Sequence, residues 1–172
     1  QPLGVIGIIS PWNYPFQLAL LPIIAAISAG NYFMVKPSEF VPNTSKIIKD
    51  ILFELLPEKS AVIEGGKSIG ASFSKLSFDH IFFTGSPKVG KLVMKSAAEN
   101  LTPVTLELGG KSPAIIHGTY SLSRAVSRIT FGKYLNSGQT CIAPDYILCH
   151  KDQLDQVVQA FIKTITKSFP NL

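Results

Sequence analysis

Apolar runs rich in β-branched and aromatic residues recur along the chain at 4–10 (GVIGIIS), 32–36 (YFMVK), 61–64 (AVIE), 80–84 (HIFFT) and 104–108 (VTLEL). None alternates strictly between apolar and polar, which is the pattern of strands covered on both faces. Between them the apolar positions fall at helical spacing. Ile47, Ile48, Ile51, Leu52 and Leu55 form one stripe, with Asn43, Thr44 or Ser45 in place as its cap; Val89, Leu92, Val93 and Ala97 form another. Strand and helix in alternation predict an α/β fold on a doubly wound parallel sheet. Such sheets bind ligands at the carboxyl ends of their strands. The polar clusters fall there: Ser10-Pro11-Trp12-Asn13 after the first strand, Lys36-Pro37-Ser38-Glu39 after the second, Thr84-Gly85-Ser86 after the fourth.

The texture changes after Gly109-Gly110. A strand over 114–117 is followed by a helix with Leu122, Ala125, Val126 and Ile129. A Gly-bearing turn over 136–139 leads to Cys141, then a strand over 146–149 and a helix from 152 to about 167, with Leu154, Val157, Val158, Phe161, Ile162 and Ile165 as its stripe. A domain boundary is therefore placed near Leu108, with 1–108 as a nucleotide-binding domain and 109–172 as the incomplete start of a second α/β domain.

The first 35 residues carry no charge, and 16–29 is strongly apolar, so a membrane span has to be weighed. Pro11, Pro15 and Pro22, with Asn13, Gln17, Ser28 and Asn31, interrupt it, and a buried strand followed by a buried helix is the better fit. Composition changes the picture only by exclusion. Hydrophobic residues make up 46% of the 172, enough for a core, and 2 cysteines with 13 glycines exclude a disulfide scaffold and a collagen-like repeat. The net charge of +5 comes from scattered Lys and Arg, with no basic run to bind nucleic acid. Cys141 and Cys149 fit a reduced, cytoplasmic setting, and no Cys/His spacing suggests a metal.

Four segments carry chemistry. Gly85-Ser86-Pro87-Lys88-Val89-Gly90-Lys91 reads G-x-x-x-x-G-K, but Leu92 stands where a P-loop needs Ser or Thr for magnesium. Its glycines still suit a helix-start turn where backbone N–H groups approach a ligand, or a plain strand-to-helix turn. Gly66-Lys67-Ser68-Ile69-Gly70 matches the hydrolase elbow G-x-S-x-G, with Glu107 and His117 or His150 in triad order, but no oxyanion motif accompanies it. Cys141 follows a Gly-bearing turn among small polar residues, where a thiol can be accessible; Cys149, in an apolar strand, fits an inert core residue. Glu107 ends an apolar strand. Burial there would raise its pKa and suit it to general-base work, unless it pairs with a lysine such as Lys111.

Taken together, Pro11-Trp12-Asn13-Tyr14-Pro15-Phe16, Lys36-Pro37-Ser38-Glu39, Phe83-Thr84-Gly85-Ser86 with Val89-Gly90, Leu106-Glu107-Leu108-Gly109-Gly110-Lys111-Ser112-Pro113 and Gly138-Gln139-Thr140-Cys141 stand in the order seen in aldehyde dehydrogenases. The chain resembles that family over its whole length. Leu101-Thr102-Pro103-Val104-Thr105-Leu106 and Cys141-Ile142-Ala143-Pro144-Asp145-Tyr146 look most like the class 3 branch, which includes fatty-aldehyde dehydrogenases.

The resemblance implies oxidation of an aldehyde to a carboxylic acid with NAD or NADP. Cys141 is then the nucleophile, Asn13 and the Cys141 backbone N–H hold the oxyanion, and Glu107 activates the hydrolytic water. Lys36 and Glu39 would hold the adenosine ribose hydroxyls. Trp12, Leu108 and the turn of Gly85, Ser86, Pro87, Lys88, Val89 and Gly90 would face the cofactor. The G-x-S-x-G match becomes accidental. Family members are far longer, and the later Glu-x-Phe-Gly-Pro motif is missing from this sequence. The parent enzyme is expected to be a homodimer, in some class 3 members anchored through a C-terminal tail. The alternative is a truncated, non-catalytic module that binds the nicotinamide nucleotide. An isolated piece of this kind is also expected to expose apolar surface and aggregate.

Overall fold

The five apolar runs of the first part form β1 (Val5–Ile9), β2 (Tyr32–Lys36), β3 (Ser60–Val62), β4 (His80–Gly85) and β5 (Val104–Leu108). All neighbouring pairs are parallel, in the order β3-β2-β1-β4-β5. The structure is a computed structural model describing residues 1–170. The chain divides into two compact units, Gln1–Leu108 and the part from Gly109 onward.

The helices of the first unit lie on both faces of the sheet, as the doubly wound expectation requires. On one face α1 (Pro15–Ser28) and α2 (Pro42–Leu55) bury Ile6, Ile8, Phe33 and Val35 against Ala19, Ile23, Ala26, Ile48 and Leu52. On the other, α3 (Lys67–Phe73) and α4 (Pro87–Ala98) cover Ile81 and Phe83, with Leu106 and Leu108 packed alongside. Ile8 sits fully buried in the central strand; removing such a side chain from water contributes roughly 1.5–3 kcal/mol.

Three local expectations need correction. α1 is not buried all round: Ala19, Ile23 and Ala26 form its inner stripe, while Phe16, Leu21 and Ile24 are exposed. It has 14 residues and runs through Pro22, and among the described residues no helix is long and apolar enough to cross a membrane. α2 is capped neither by Asn43, Thr44 nor Ser45. It starts at Pro42, whose fixed φ suits a first helical position, with Val41 before it. Ser45 lies inside the helix and its hydroxyl donates to the Val41 carbonyl at 3.0 Å. The segment holding Ser68 is a short helix that apolar spacing had not revealed.

In the second unit, β6 (Ser112–Ile116) and β7 (Pro144–Cys149) form a parallel pair. α5 (Leu122–Tyr134) and α6 (Leu154–Ser168) pack on one face, where Ile116, Ala125 and Val157 form a small core with Cys149 beside it. The opposite face presents Ile115, Tyr146 and Leu148 to solvent.

Burial ranks the consequences of truncation. Ile8→Ala is expected to lower stability by about 2–5 kcal/mol. Leu92→Ala, at a position 60% exposed on α4, should change it by no more than about 0.5 kcal/mol. Urea unfolding followed by circular dichroism compares the two.

Candidate functional site

Parallel pairing places the carboxyl ends of β1 to β5 along one edge of the sheet. The winding reverses at β1, which has β2 on one side and β4 on the other. A crevice at such a reversal is where open α/β sheets take ligands. The loop after β1 carries Trp12, 46% exposed, and half-buried Asn13, just ahead of α1. The Ser10 amide continues the ladder by donating to the Lys36 carbonyl at 3.2 Å. Ser10 is 4% exposed, and its Oγ meets no hydrogen-bond partner among the described residues. Sequence reasoning did not single this hydroxyl out. Its signal is the alternation Ile6, Ile8, Ser10, which runs from two apolar residues to a polar one on one face.

Lys36 ends β2 with its side chain only 6% exposed, and its Nζ donates to Glu39 Oε2 at 2.9 Å. A buried ammonium is tolerated when paired in this way. The hydrogen bond from Lys36 is also the main reason the Glu39 carboxyl is held below the usual range. These two residues, separate in the sequence reading, are therefore one preformed unit.

The turn after β4 has a different use from the one its spacing suggested. Ser86 caps α4, its Oγ accepting from the Val89 amide at 3.3 Å, and Pro87 takes the first helical position. Pro87, Lys88 and Val89 are exposed. Gly85 and Gly90 serve packing: a Cβ on Gly85 would stand 2.5 Å from the Phe83 ring, and one on Gly90 would stand 2.8 Å from Leu108. The glycines bring α4 close to the sheet. Leu108 points to the same side, so any approach to a ligand would be through its backbone.

Glu107 is exposed, not buried as its apolar strand suggested. Alternation along β5 turns Leu106 and Leu108 under α4 and sends Glu107 to the other face, in register with Thr84. α1 and α2 pack on β1, β2 and β3, not on β5, the outermost strand. Lys111, the lysine weighed as its partner, pairs with Asp145 at 3.2 Å within the second unit.

In the second unit Cys141 is exposed on the turn between α5 and β7, where the Ala143 amide donates to the Thr140 carbonyl at 3.1 Å. Its own carbonyl lies 4.0 Å from where a Cβ on Gly110 would stand. Cys149 is half-buried beside the small core. A cavity of about 570 Å³ lies at the carboxyl ends of β6 and β7, between Ile115, His117, Leu148 and Gln153. Neither Cys141 nor Gly110 lines it. The hydrolase elbow is not formed. Gly66 is the N-cap of α3, and Ser68 is exposed in its first turn, separated from β3 by Ile63, Glu64, Gly65, Gly66 and Lys67. The motif requires its serine at the apex of a sharp strand-to-helix turn.

The family model described as "Aldehyde dehydrogenase family" matches residues 1–169. A probable coniferyl aldehyde dehydrogenase of Pseudomonas aeruginosa is 51% identical over 173 residues, covering 100% of this chain and 36% of that protein. Aldehyde dehydrogenase family 3 member A2 of Rattus norvegicus is 52% identical, covering 98% of this chain and 35% of its own length. Among solved structures, the substrate-bound AldH of Staphylococcus aureus superposes with a TM-score of 0.94 at 47% identity, covering 100% of this chain and 38% of that one. A Mycobacterium tuberculosis aldehyde dehydrogenase complexed with NAD+ gives 0.91 at 37% identity, covering 96% and 35%. The chain thus spans little more than a third of the length of these relatives. With a family match over nearly every residue and identities near one half, the chain belongs to the aldehyde dehydrogenase family.

Proposed function

We propose that this chain supplies the cofactor-binding unit and the nucleophile of an enzyme that oxidises aldehydes to carboxylic acids with NAD(P)+. The observation that carries the reading is the exposed Cys141 thiol in a chain whose first unit has an open-sheet carboxyl edge fitted with Lys36, Glu39 and Ser10. The donor set there fits a nucleotide. A paired ammonium and carboxylate match ribose hydroxyls, the orphaned Ser10 hydroxyl seeks a polar partner, and the capped start of α4 favours an anion.

Cys141 sulfur, as thiolate, forms a bond to the aldehyde carbon, and the carbonyl π pair moves onto oxygen. Asn13 Nδ2 and the Cys141 amide donate to that oxyanion. A nicotinamide held by Lys36, Glu39 and the turn after β4 would supply an acceptor for the hydride of the adduct's C–H bond, the oxyanion lone pair re-forming C=O so that a thioester remains on Cys141. Glu107 then takes a proton from water, whose oxygen attacks the thioester; the C–S bond breaks, releasing the acid and the thiolate. Trp12, Gly85, Ser86, Pro87, Lys88, Val89, Gly90 and Leu108 are the remaining residues proposed toward the cofactor, Gly90 and Leu108 through the packing that seats α4. The parent enzyme is proposed to act as a homodimer in the cytoplasm or at a membrane. A second reading, nucleotide binding without turnover, rests on the preformed Lys36–Glu39 pair of the first unit alone.

NAD+ at one hundred times its dissociation constant should stabilise the chain by about 2.7 kcal/mol, seen as a rise in Tm. No shift with either NAD+ or NADP+ rules out the nucleotide site. With a medium-chain aldehyde, NADH should form at 340 nm, and Cys141→Ser should reduce the rate at least about a thousandfold. Binding without NADH formation selects the second reading.

The Lys36–Glu39 pair gives a pH signature. Because the folded carboxyl is held low, its contribution is complete above the unfolded glutamate value of about 4.3 and is lost as pH falls through the folded value. Glu39→Gln should cost about 1–3 kcal/mol at neutral pH and flatten the acid limb of a stability–pH profile. An unchanged acid limb would remove the pair from the account.

A further inference from the structure

The loop that carries Cys141 is wound left-handed. Asn136 (φ 50°, ψ 37°), Ser137 (φ 56°, ψ 28°) and Gly138 (φ 76°) occupy that region in succession. Glycine adopts it freely and asparagine is a frequent visitor, but a serine there is sterically disfavoured. Gly138 is needed on a second ground: a Cβ would stand 3.0 Å from the Lys133 carbonyl oxygen at the end of α5. The Gln139 amide closes the turn on the Asn136 carbonyl at 3.1 Å.

A second turn follows directly, with Cys141 and Ile142 at its centre and its closing bond from Ala143 to Thr140. Ala143 is then 9% exposed, and Pro144 opens β7 with its ring 3.6 Å from the Cβ position of Gly132. The loop is therefore held against the last turns of α5 at Gly138 and Pro144. Within two residues the backbone passes from an exposed thiol to a buried methyl. Cys141 and Ile142 are both exposed and Ala143 is buried, so a shift of two residues in the turn is what would carry the thiol to the buried position.

We propose that Ser137 and Gly138 are positioning residues for Cys141, and that the strained turn sets the register that keeps the sulfur outward. The proposal rests on the reading of Cys141 as nucleophile for its functional meaning, but the geometry it predicts can be tested without aldehyde or cofactor. Backbone strain retained beside a reacting group is a recurring device for preorganisation.

Iodoacetamide alkylation of this chain, quantified by peptide mass mapping, reads Cys141 and Cys149 in the same molecule. In each case the thiolate sulfur displaces iodide. Ser137→Val, whose branched Cβ opposes the left-handed region, and Gly138→Ala should each reduce the Cys141-to-Cys149 rate ratio at least about threefold. Ser137→Asn, which tolerates that region, should retain the wild-type ratio and pH profile. General loosening of the fold would raise the Cys149 rate along with that of Cys141. A ratio unchanged or increased in both the Val and Ala variants, or a change shared by both cysteines, overturns the proposal. Failure of aldehyde turnover with the ratio behaving as expected would instead reject the dehydrogenase reading and leave the positioning role intact.

Discussion

The parallel ladder through β1 is the constraint on which the first unit depends. β1 is bonded on both sides, and Ile6 and Ile8 are buried against α1 and α2. Because every strand runs in the same direction, every carboxyl end is delivered to one edge. Residues as far apart in sequence as Trp12, Lys36, Ser86 and Glu107 are collected along that edge by hydrogen bonding and apolar burial. A residue slip in β1 would exchange Ile6 and Ile8 for their neighbours on the other face and dismantle the core.

Two carboxylates on that edge meet different environments. Glu39 has a nearly buried ammonium as its partner, which fixes its position and favours its charged form. Glu107 is on an outer strand and open to solvent. The first arrangement is rigid and suits recognition.

The family assignment agrees with the α/β fold inferred from pattern and with five motifs in order, and packing accounts for Gly85, Gly90 and Gly138 among the glycines of those motifs, though not for Gly109 and Gly110. Gly85 and Gly90 admit the Phe83 ring and the Leu108 side chain, and Gly138 admits a carbonyl of α5. A motif glycine can thus be tied to a site while touching only the protein around it. The G-x-S-x-G match has no such geometry behind it, since Ser68 is the second residue of a seven-residue helix.

Hydrophobic patterning alone determined the strands, most of the helices and the parallel arrangement, because strands buried on both faces and amphipathic helices leave periodicities in the sequence. It also located the polar clusters at strand ends. Tertiary structure alone decided the rest. The exposure of Glu107 follows from its strand's place at the sheet edge, and the outer face of α1 from what lies over it. The Lys36–Glu39 bond follows from the path of the chain after β2, and the start of α2 at Pro42 from the loop before it. The turn over 136–139 was legible, but the left-handed backbone at Ser137 was not, because closure of the short loop between α5 and β7 imposes it on a residue that would not choose it.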